Sequence, residues 1–169
     1  MKNKEYESMI RVNHAGEFGA VQIYKGQLAV LRRRETKKMI ETMLSQEEDH
    51  FAYFDTKLKN EHIRPTILTP FWRVMGFALG AGTALLGRRA AMVCTVAVEE
   101  VIEEHYEEQL QHPELNDDLK DKIKEFQNDE IHHKEQGIEK FAKAAPCYPV
   151  LRQMIRQGTK LAIFLSKKI

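Results

Sequence analysis

Two segments of this sequence place a glutamate and a histidine three positions apart on the apolar side of a predicted helix. The pairs are Glu47 with His50 in SQEEDHF and, roughly 80 residues later, Glu130 with His133 in NDEIHHKEQ. At about 100° of rotation per residue, Ile40 and other apolar residues share the face of Glu47. A helix ordinarily buries such a face. The fold must therefore accommodate these polar groups in its interior.

Two further glutamates, Glu17 and Glu99, lie in matching surroundings. Each has an apolar residue seven positions before it, a tyrosine seven positions after it and a leucine eleven positions after it. These neighbours are Ile10, Tyr24 and Leu28 for Glu17, and Met92, Tyr106 and Leu110 for Glu99. Glu17 and Glu99 are again roughly 80 residues apart, so the sequence indicates an internal duplication of a helix pair. Each copy carries a Glu on its first helix and Glu-x-x-His on its second.

Helical phase separates these residues from their neighbours. Glu48 and Glu100 share their faces with charged residues and are predicted to be solvated. The alternative register, His132 with Asp129, breaks the match between the two copies and is disfavoured. Glu103 lies about 40° from the buried face and stays an open candidate for the same site.

Helix signals run through most of the chain, and the five prolines stand between segments. Helices are predicted at 5–33, 36–61, 70–88, 90–111, 117–143 and 149–166. Thr69 is the predicted N-cap of the third helix, and Asn116 or Asp117 that of the fifth. Long helices with short connections favour an all-α bundle. We therefore predict one domain over 1–169, a four-helix bundle with an inserted apolar helix and a C-terminal amphipathic helix.

The charge balance and the cysteine content of the chain limit which partners and which cellular compartment are expected. Lys and Arg number 26 against 25 Asp and Glu, without the concentrated basic footprint that nucleic-acid binding needs, so no nucleic acid is expected. Cys94 and Cys147 are too few for a disulfide framework or a four-thiolate metal site, which favours a reducing compartment. The start, MKNKEYESM, has neither signal-peptide nor transit-peptide character. The chain is therefore expected to be cytoplasmic or already mature.

Charge balance predicts metal ions. Four carboxylates facing one core would each cost on the order of several kcal/mol if unpaired, and no Lys or Arg stripe is in phase with them. Two divalent cations would balance the charge, and oxygen-rich ligation with two imidazoles favours iron or manganese, iron first, over structural zinc. The set resembles the ligands of ferritin-like di-iron and di-manganese bundles. The predicted metal ligands are Glu17, Glu47, His50, Glu99, Glu130 and His133.

The ligand pattern alone leaves the reaction open. A monooxygenase and a ferritin-like ferroxidase or iron-handling protein would use the same set, and a silent helical scaffold with a structural metal is a further alternative. A rubrerythrin-like peroxidase would need an additional four-cysteine iron domain, for which two cysteines do not suffice.

The segment VMGFALGAGTALLG, 74–87, carries no charge and contains four glycines. As a helix it rises about 21 Å, which is too short to span a bilayer. It is either a buried helix packed through small residues or, as we favour, an element lying in one leaflet with Arg73, Arg88 and Arg89 at the headgroups. The basic stretch VLRQMIRQGTKLAIFLSKKI either contacts the membrane too or packs on the bundle, and packing is at least as well supported.

Several motifs together resemble the demethoxyubiquinone hydroxylases of ubiquinone biosynthesis. They are RVNHAGEFGA, the QEEDH pair, GFALGAGTALLG, CTVAVEEVIEEHY and the DEIHH pair, and the resemblance extends from about residue 10 to the end. It implies a membrane-associated di-iron monooxygenase that hydroxylates the ring of a polyprenyl demethoxy-benzoquinol. The metal ligands then fall on the six residues already named, with Glu47 and Glu130 bridging. Asn13 and Phe164 depart from the family pattern, where Asp and Tyr are common, which would alter hydrogen bonding around the site.

This interpretation implies further residues near the metals. Tyr106 is expected to hydrogen-bond a ligand or relay electrons, although simple core packing explains it equally well. Asp129 and Asp49 are candidates to orient the histidines, and Thr95 is a candidate to line the pocket.

The same interpretation implies partners outside the chain. Electrons must come from an external donor, with NADH and reduced quinone as candidates, because no dinucleotide-binding turn is visible. The expected partners are the polyprenyl quinol, one leaflet of a membrane, a further copy of the chain and other ubiquinone-biosynthesis proteins, including a lipid carrier. The expected location is peripheral, on the cytoplasmic face of a bacterial inner membrane or the matrix face of a mitochondrial inner membrane.

Overall fold

The computed structural model describes residues 4–113, 115–140, 143, 145 and 147–168. Within these ranges the chain is a bundle of helices without a strand, so the predicted all-α class is confirmed. The helices are α1 (Lys4–Val30), α2 (Arg34–Glu61), α3 (Thr69–Leu85), α4 (Arg88–Leu110), α5 (Asp117–Lys140) and α6 (Tyr148–Lys168).

Helix ends differ from the prediction where the chain reverses. α1 ends at Val30 rather than at 33, because Arg33 already has the extended backbone that precedes α2. Thr69 is the first residue of α3 and not its N-cap, and its hydroxyl donates to the Thr66 carbonyl at 2.8 Å. Asn116 is confirmed as the cap of α5, since its Oδ1 accepts from the Leu119 N–H at 2.9 Å. The predicted end of α5 at 143 passes 141 and 142, which lie outside the described residues.

Two helical hairpins form the centre of the fold. α1 packs against α2, and α4 packs against α5, each pair being joined by a short connection. The buried faces of all four helices contribute to the core, which includes Tyr24, Phe54, Tyr106 and Ile123. The two helix pairs predicted from the duplication are therefore structural units that face each other.

α3 packs along α1 at a very short distance between the two backbones. A Cβ atom on Gly80 would overlap the carbonyl oxygen of Ile23, and one on Gly26 would overlap that of Phe77. Gly87, with φ of 106°, makes the sharp turn from α3 into α4. The inner face of the apolar segment is thus packed on the bundle, as one of the two interpretations required.

The outer face of α3 remains exposed and apolar. Phe71, Val74, Phe77 and Leu85 are exposed there. In the part of the chain that the structure describes, no helix has both the length and the apolarity needed to cross a bilayer.

α6 lies across α4 and also contacts α1. Arg152 and Arg156 bind the carboxylate of Glu100, at 2.7 and 2.8 Å. The prediction that Glu100 is solvated is therefore wrong, because helical phase within α4 does not show that a sixth helix covers this face. Glu48, in contrast, is exposed as predicted and pairs with Lys25 at 2.9 Å.

Candidate metal centre

The structure brings all six predicted ligands together between the two hairpins. Each of the six is at most 2% exposed. Two overlapping groups of four could each hold one metal ion, because their ligand atoms lie within 4.8 Å of one another. One group is Glu17, Glu47, His50 and Glu130, and the other is Glu47, Glu99, Glu130 and His133. Glu47 and Glu130 belong to both groups, as bridging carboxylates would.

Both histidines turn Nδ1 toward the centre of this cluster. His50 Nδ1 lies 3.2 Å from Glu130 Oε1 and 3.6 Å from Glu17 Oε2. His133 Nδ1 lies 3.2 Å from Glu47 Oε1 and 3.5 Å from Glu130 Oε2. The two imidazoles therefore enter from opposite hairpins and meet carboxylates of both.

These close contacts are not aligned as hydrogen bonds. Both carboxylate oxygens of Glu47 and Glu130, Oε2 of Glu99 and Nδ1 of both histidines have no hydrogen-bond partner among the described residues. Buried polar atoms are almost always hydrogen-bonded. Seven unpartnered atoms around one centre fit divalent cations held by oxygen and imidazole nitrogen.

Burial and mutual repulsion perturb the acidity of the cluster. Burial, followed by the charge of Glu130, raises the pKa of both Glu47 and Glu99 well above the usual range. Burial opposes ionisation of Glu130, but contacts with His133 and His50 outweigh it and lower its pKa to about 2. Burial also opposes protonation of His50, yet Glu130 and the other carboxylates raise its pKa to about 12. Without metal the cluster thus retains protons that divalent cations would displace.

Two tyrosines bind the outer glutamates in a crossed arrangement. Tyr106 of the second hairpin donates to Glu17 Oε1 of the first, and Tyr24 of the first hairpin donates to Glu99 Oε1 of the second. Tyr106 was predicted to contact a ligand, and the structure provides that contact. The contact of Tyr24 was not predicted, although Tyr24 and Tyr106 occupy equivalent positions in the two copies and this symmetry was the available signal.

The second ring nitrogen of each histidine, Nε2, also has a hydrogen-bonding partner. His50 Nε2 lies 3.1 Å from Asp129 Oδ2, as predicted for an orienting carboxylate. His133 Nε2 lies 3.1 Å from Gln46 Oε1, and Gln46 Nε2 donates to Asp129 Oδ1 at 3.1 Å. Sequence reasoning missed Gln46, but it precedes Glu47 as Asp129 precedes Glu130.

Other candidates lie away from the centre. Glu103 forms an ion pair with Lys134 and is absent from both groups of candidate ligands. Asp49 is exposed on α2, where the helical phase turns it outward, so it does not share the role of Asp129. His132 is exposed while His133 is buried, so the chosen register is confirmed.

Asn13 and Phe164, the two positions where the sequence departs from the family pattern, lie outside both groups of candidate ligands. Asn13 and Gln109 exchange hydrogen bonds at 2.8 and 2.5 Å, one turn from Glu17. Phe164 is exposed on α6.

Thr95, the residue predicted to line the pocket, is buried and lies 3.4 Å from the Gln27 amide nitrogen, which places it between α1 and α4.

An apolar cavity of about 420 Å³ lies between α1, α3, α4 and α6. Gly16 and Ile102 line it from α1 and α4, Met75 from α3, and Met154 and Ile155 from α6. Gly16 directly precedes Glu17, and Ile102 is one turn beyond Glu99. The cavity and the candidate metal-binding cluster therefore have α1 and α4 as common walls.

Comparison with known proteins agrees with the resemblance in the motifs. The family model described as ubiquinone biosynthesis protein COQ7 matches residues 4–166. A relative from Bos taurus, named NADPH-dependent 3-demethoxyubiquinone 3-hydroxylase, mitochondrial, is 48% identical over 168 residues, covering 96% of this chain and 77% of the relative. A relative from Rhodospirillum rubrum, named 3-demethoxyubiquinol 3-hydroxylase, is 48% identical over 167 residues, covering 96% and 78%. One from Saccharomyces cerevisiae, named 5-demethoxyubiquinone hydroxylase, mitochondrial, is 35% identical over 181 residues, covering 96% and 78%. Because the family model and these relatives match nearly the whole length of the chain, the chain belongs to the COQ7 family of ubiquinone biosynthesis proteins.

Proposed function

We propose that this chain is an O2-dependent monooxygenase that hydroxylates the ring of a polyprenyl demethoxy-benzoquinol in ubiquinone biosynthesis. The observation that carries the proposal is the buried cluster of glutamates and histidines, in which seven ligand atoms have no hydrogen-bond partner among the described residues. Its bacterial and eukaryotic relatives have names that describe hydroxylases of this substrate class. The proposed architecture is a ferritin-like bundle of α1, α2, α4 and α5 within one domain over 1–169.

Two iron ions are the proposed cofactor. Glu17 and His50 would bind one ion, Glu99 and His133 the other, and the carboxylates common to both groups would bridge them. When bound, the iron pair supplies oxygen activation and the electron transfer that ring hydroxylation requires. The protein contributes the geometry and the exclusion of water, since each ligand is at most 2% exposed.

The tyrosines position the terminal carboxylates. Tyr106 occupies Oε1 of Glu17, and Tyr24 occupies Oε1 of Glu99. The second oxygen of each carboxylate is therefore left for metal. Burial raises the pKa of both phenols well above the usual range, so each keeps its proton and acts as a donor.

The apolar cavity is the proposed site for the substrate. Its walls are formed by aliphatic side chains and by glycines that leave room on α1, such as Gly16 and Gly19. An isoprenoid tail has the matching chemistry, because its transfer from water to such a surface is favourable. With α1 and α4 as common walls, a ring entering from the cavity approaches the side of the cluster formed by Glu17 and Glu99.

The exposed apolar residues of α3 and α6 are the proposed membrane contact. Leu85 and Leu86 are 74% and 75% exposed, and Met154, Leu161 and Phe164 are exposed on α6. α3 and α6 also form walls of the cavity, so a lipid substrate could enter without crossing water. The proposed location is peripheral, on the cytoplasmic face of a bacterial inner membrane or the matrix face of a mitochondrial one. A second copy of the chain or a lipid-carrier protein is proposed as a further partner of this surface.

The proposed electron donor is external. Several eukaryotic relatives are named as NADPH-dependent, which points to a reduced pyridine nucleotide. NADH and reduced quinone, which the sequence indicated as candidates, should be tested beside NADPH as electron donors.

The proposal is tested by loading the protein with ferrous iron without oxygen, then adding 18O2 and a short-tailed demethoxyquinol. We expect a product with one additional oxygen atom that carries the label, together with two iron ions per chain. Glu47→Ala should abolish product formation, whereas Thr42→Ala, at an exposed position on α2, should not. Adding NADPH, NADH or reduced quinone in parallel identifies the donor.

The same experiment separates the hydroxylase from a ferroxidase or iron-handling protein. A ferroxidase would oxidise iron at the same rate with and without quinol and would form no labelled product. That result would overturn the proposal. The apolar cavity beside the cluster argues for the hydroxylase, because iron oxidation alone has no use for a lipid-binding space.

A further inference from the structure

We propose that Asp129 sets the orientation of both histidines in the cluster, directly for His50 and through Gln46 for His133. Asp129 is then a positioning residue for two metal sites at once. The inference rests on the proposed function only in that the two histidines are taken to bind metal.

The hydrogen bonds that connect His50, Asp129, Gln46 and His133 can be formed with only one assignment of donors and acceptors. A carboxylate can only accept hydrogen bonds, so Asp129 Oδ2 receives the hydrogen of His50 Nε2 and Oδ1 receives a hydrogen from Gln46, each at 3.1 Å. Gln46 must therefore turn its NH2 group toward Asp129. Its Oε1 is then fixed against His133 Nε2, also at 3.1 Å.

The same logic places the hydrogens on the two imidazoles. An amide oxygen accepts and does not donate, so Nε2 of His133 carries the hydrogen, as Nε2 of His50 does. Nδ1 is consequently the nitrogen that each ring can offer to a metal ion, and both Nδ1 atoms face the cluster without a hydrogen-bond partner among the described residues. One carboxylate thus prepares both rings to bind metal through the same nitrogen.

The two residues occupy equivalent positions in the duplication but have diverged chemically. Gln46 precedes Glu47, and Asp129 precedes Glu130. Two carboxylates here would repel each other within hydrogen-bonding distance, and two amides could both flip and would fix no direction. The mixed pair gives a single orientation. The Asp129 side chain is 34% exposed, so its charge stays partly hydrated.

The order of the contacts predicts unequal effects of substitution. Gln46→Met removes the partner of His133 and leaves His50 with Asp129. Asp129→Leu removes the partner of His50 and also releases Gln46, whose amide is then free to present its NH2 group to His133. Loss of such an orienting contact typically lowers metal affinity about 10- to 100-fold.

The test is an anaerobic ferrous titration of the full chain, with a competing chelator to resolve two binding steps. We expect Gln46→Met to weaken one step about 10- to 100-fold and Asp129→Leu to weaken both steps. Gln136→Met is the matched control, because the Gln136 amide lies 2.6 Å from the exposed His132 on the same helix. It should change neither step.

If Asp129→Leu weakened only one of the two metal-binding steps, the two histidines would be oriented independently of each other. That result would overturn the proposal. Loss of both steps in Gln46→Met would also overturn it. Nitrogen-15 NMR of the zinc-loaded wild-type protein gives a second readout that needs no variant. Hydrogen on Nε2 of both rings supports the proposal, and hydrogen on Nδ1 of either ring contradicts it. Product analysis with quinol judges the hydroxylase function separately, so either proposal can fail while the other stands.

Discussion

Burying a carboxylate away from water costs free energy, and this protein buries four of them around one centre. Glu47 is the extreme case, because it is completely buried and neither of its oxygens has a hydrogen-bond partner in the described part of the chain. Its raised pKa shows that the neutral form is favoured when no metal is present. Metal binding and stability therefore make opposite demands on this residue.

Glu47→Gln should stabilise the metal-free protein while it impairs iron binding. Glutamine resembles the neutral acid that burial favours, so we expect the free energy of unfolding at pH 8 to rise by about 1–2 kcal/mol. Urea denaturation with chelator present measures this rise, and metal analysis measures the lost iron. Glu48→Gln is the control on the exposed side of α2 and should change the free energy of unfolding by less than about 0.5 kcal/mol. Equal behaviour of the two variants would refute the argument from buried charge.

His105 gives a pH-dependent stability outside the cluster. Burial, with the Lys167 charge adding to it, lowers the pKa of His105 to about 4. A folded-state pKa below the unfolded value means that this contribution is complete above about pH 6.5 and is lost as pH falls toward 4.

His105→Gln should therefore reduce the pH dependence of stability. Glutamine can keep a polar contact with Gln109, which lies 2.6 Å from the imidazole. Between pH 7.5 and pH 5, we expect the wild-type protein to lose about 2 kcal/mol more of its free energy of unfolding than the variant. Denaturant titrations at the two pH values, with both proteins in the same metal state, provide the measurement. Parallel losses in the two proteins would mean that the fold does not lower the pKa of His105.

Among the helices, α3 depends most on its smallest residues. The contact between α3 and α1 is backbone on backbone at Gly80, where any side chain would meet the Ile23 carbonyl. Gly82, two residues further along the same helix, faces open space. The two glycines therefore form a matched pair for measuring the packing.

Gly80→Ala should destabilise the protein and Gly82→Ala should not. Forcing a methyl group into the α1–α3 contact displaces a rigid backbone and should cost about 2–3 kcal/mol. At Gly82, alanine should be neutral or stabilise the helix by up to about 1 kcal/mol. Urea denaturation curves of both variants test the difference. A Gly80→Ala protein as stable as the wild type would mean that α3 does not pack on α1 at this distance.

Sequence periodicity predicted the helices well but not the surfaces between them. All six helices were predicted within a few residues, because each has a continuous pattern over at least 17 positions. Glu100 was predicted to be solvated because it shares its face of α4 with charged residues. Only the packing of α6 covers this face, and the sequence of α4 does not show it. The cavity could not be predicted either, since its walls come from four helices whose relative positions are a property of the tertiary structure.

For the molecule as a whole, the duplication made the buried cluster of glutamates and histidines predictable. Six residues could be chosen because each had an equivalent roughly 80 positions away. The contacts that orient them, from Gln46 and Tyr24, connect different helices and have no signature within a single one. Sequence reasoning therefore predicted six residues that the structure brings together, but missed half of the groups that contact them.

The exposed apolar surface gives the fold one side suited to a bilayer. It combines the outer face of α3, the turn at Leu86 and one side of α6. Arg88 and Arg89 follow this turn in the sequence, at a place where cationic side chains would meet lipid headgroups.

Substitution of Leu85 and Leu86 by glutamine should weaken membrane binding. Both side chains are about three-quarters exposed, so the fold should tolerate the change while the apolar area available to lipid falls. We expect at least about a tenfold loss of partitioning into vesicles of phosphatidylethanolamine and phosphatidylglycerol, measured by co-sedimentation. A double glutamine substitution at Thr42 and Ser45, which are exposed on α2, should leave partitioning unchanged. Identical sedimentation of the two double variants would refute the proposed contact surface.

The crossed donation from Tyr24 to Glu99 and from Tyr106 to Glu17 bears on how such a chain arose. In neither hairpin does the tyrosine bind the glutamate of its own hairpin, so an ancestral hairpin encoded alone would have needed a twin for these contacts, bound about a twofold axis in an isologous pair. Gene fusion would preserve every contact of that pair while freeing the two copies to diverge, as Gln46 and Asp129 have done. The buried centre of this protein is, on this account, a former dimer interface that became enclosed within one polypeptide.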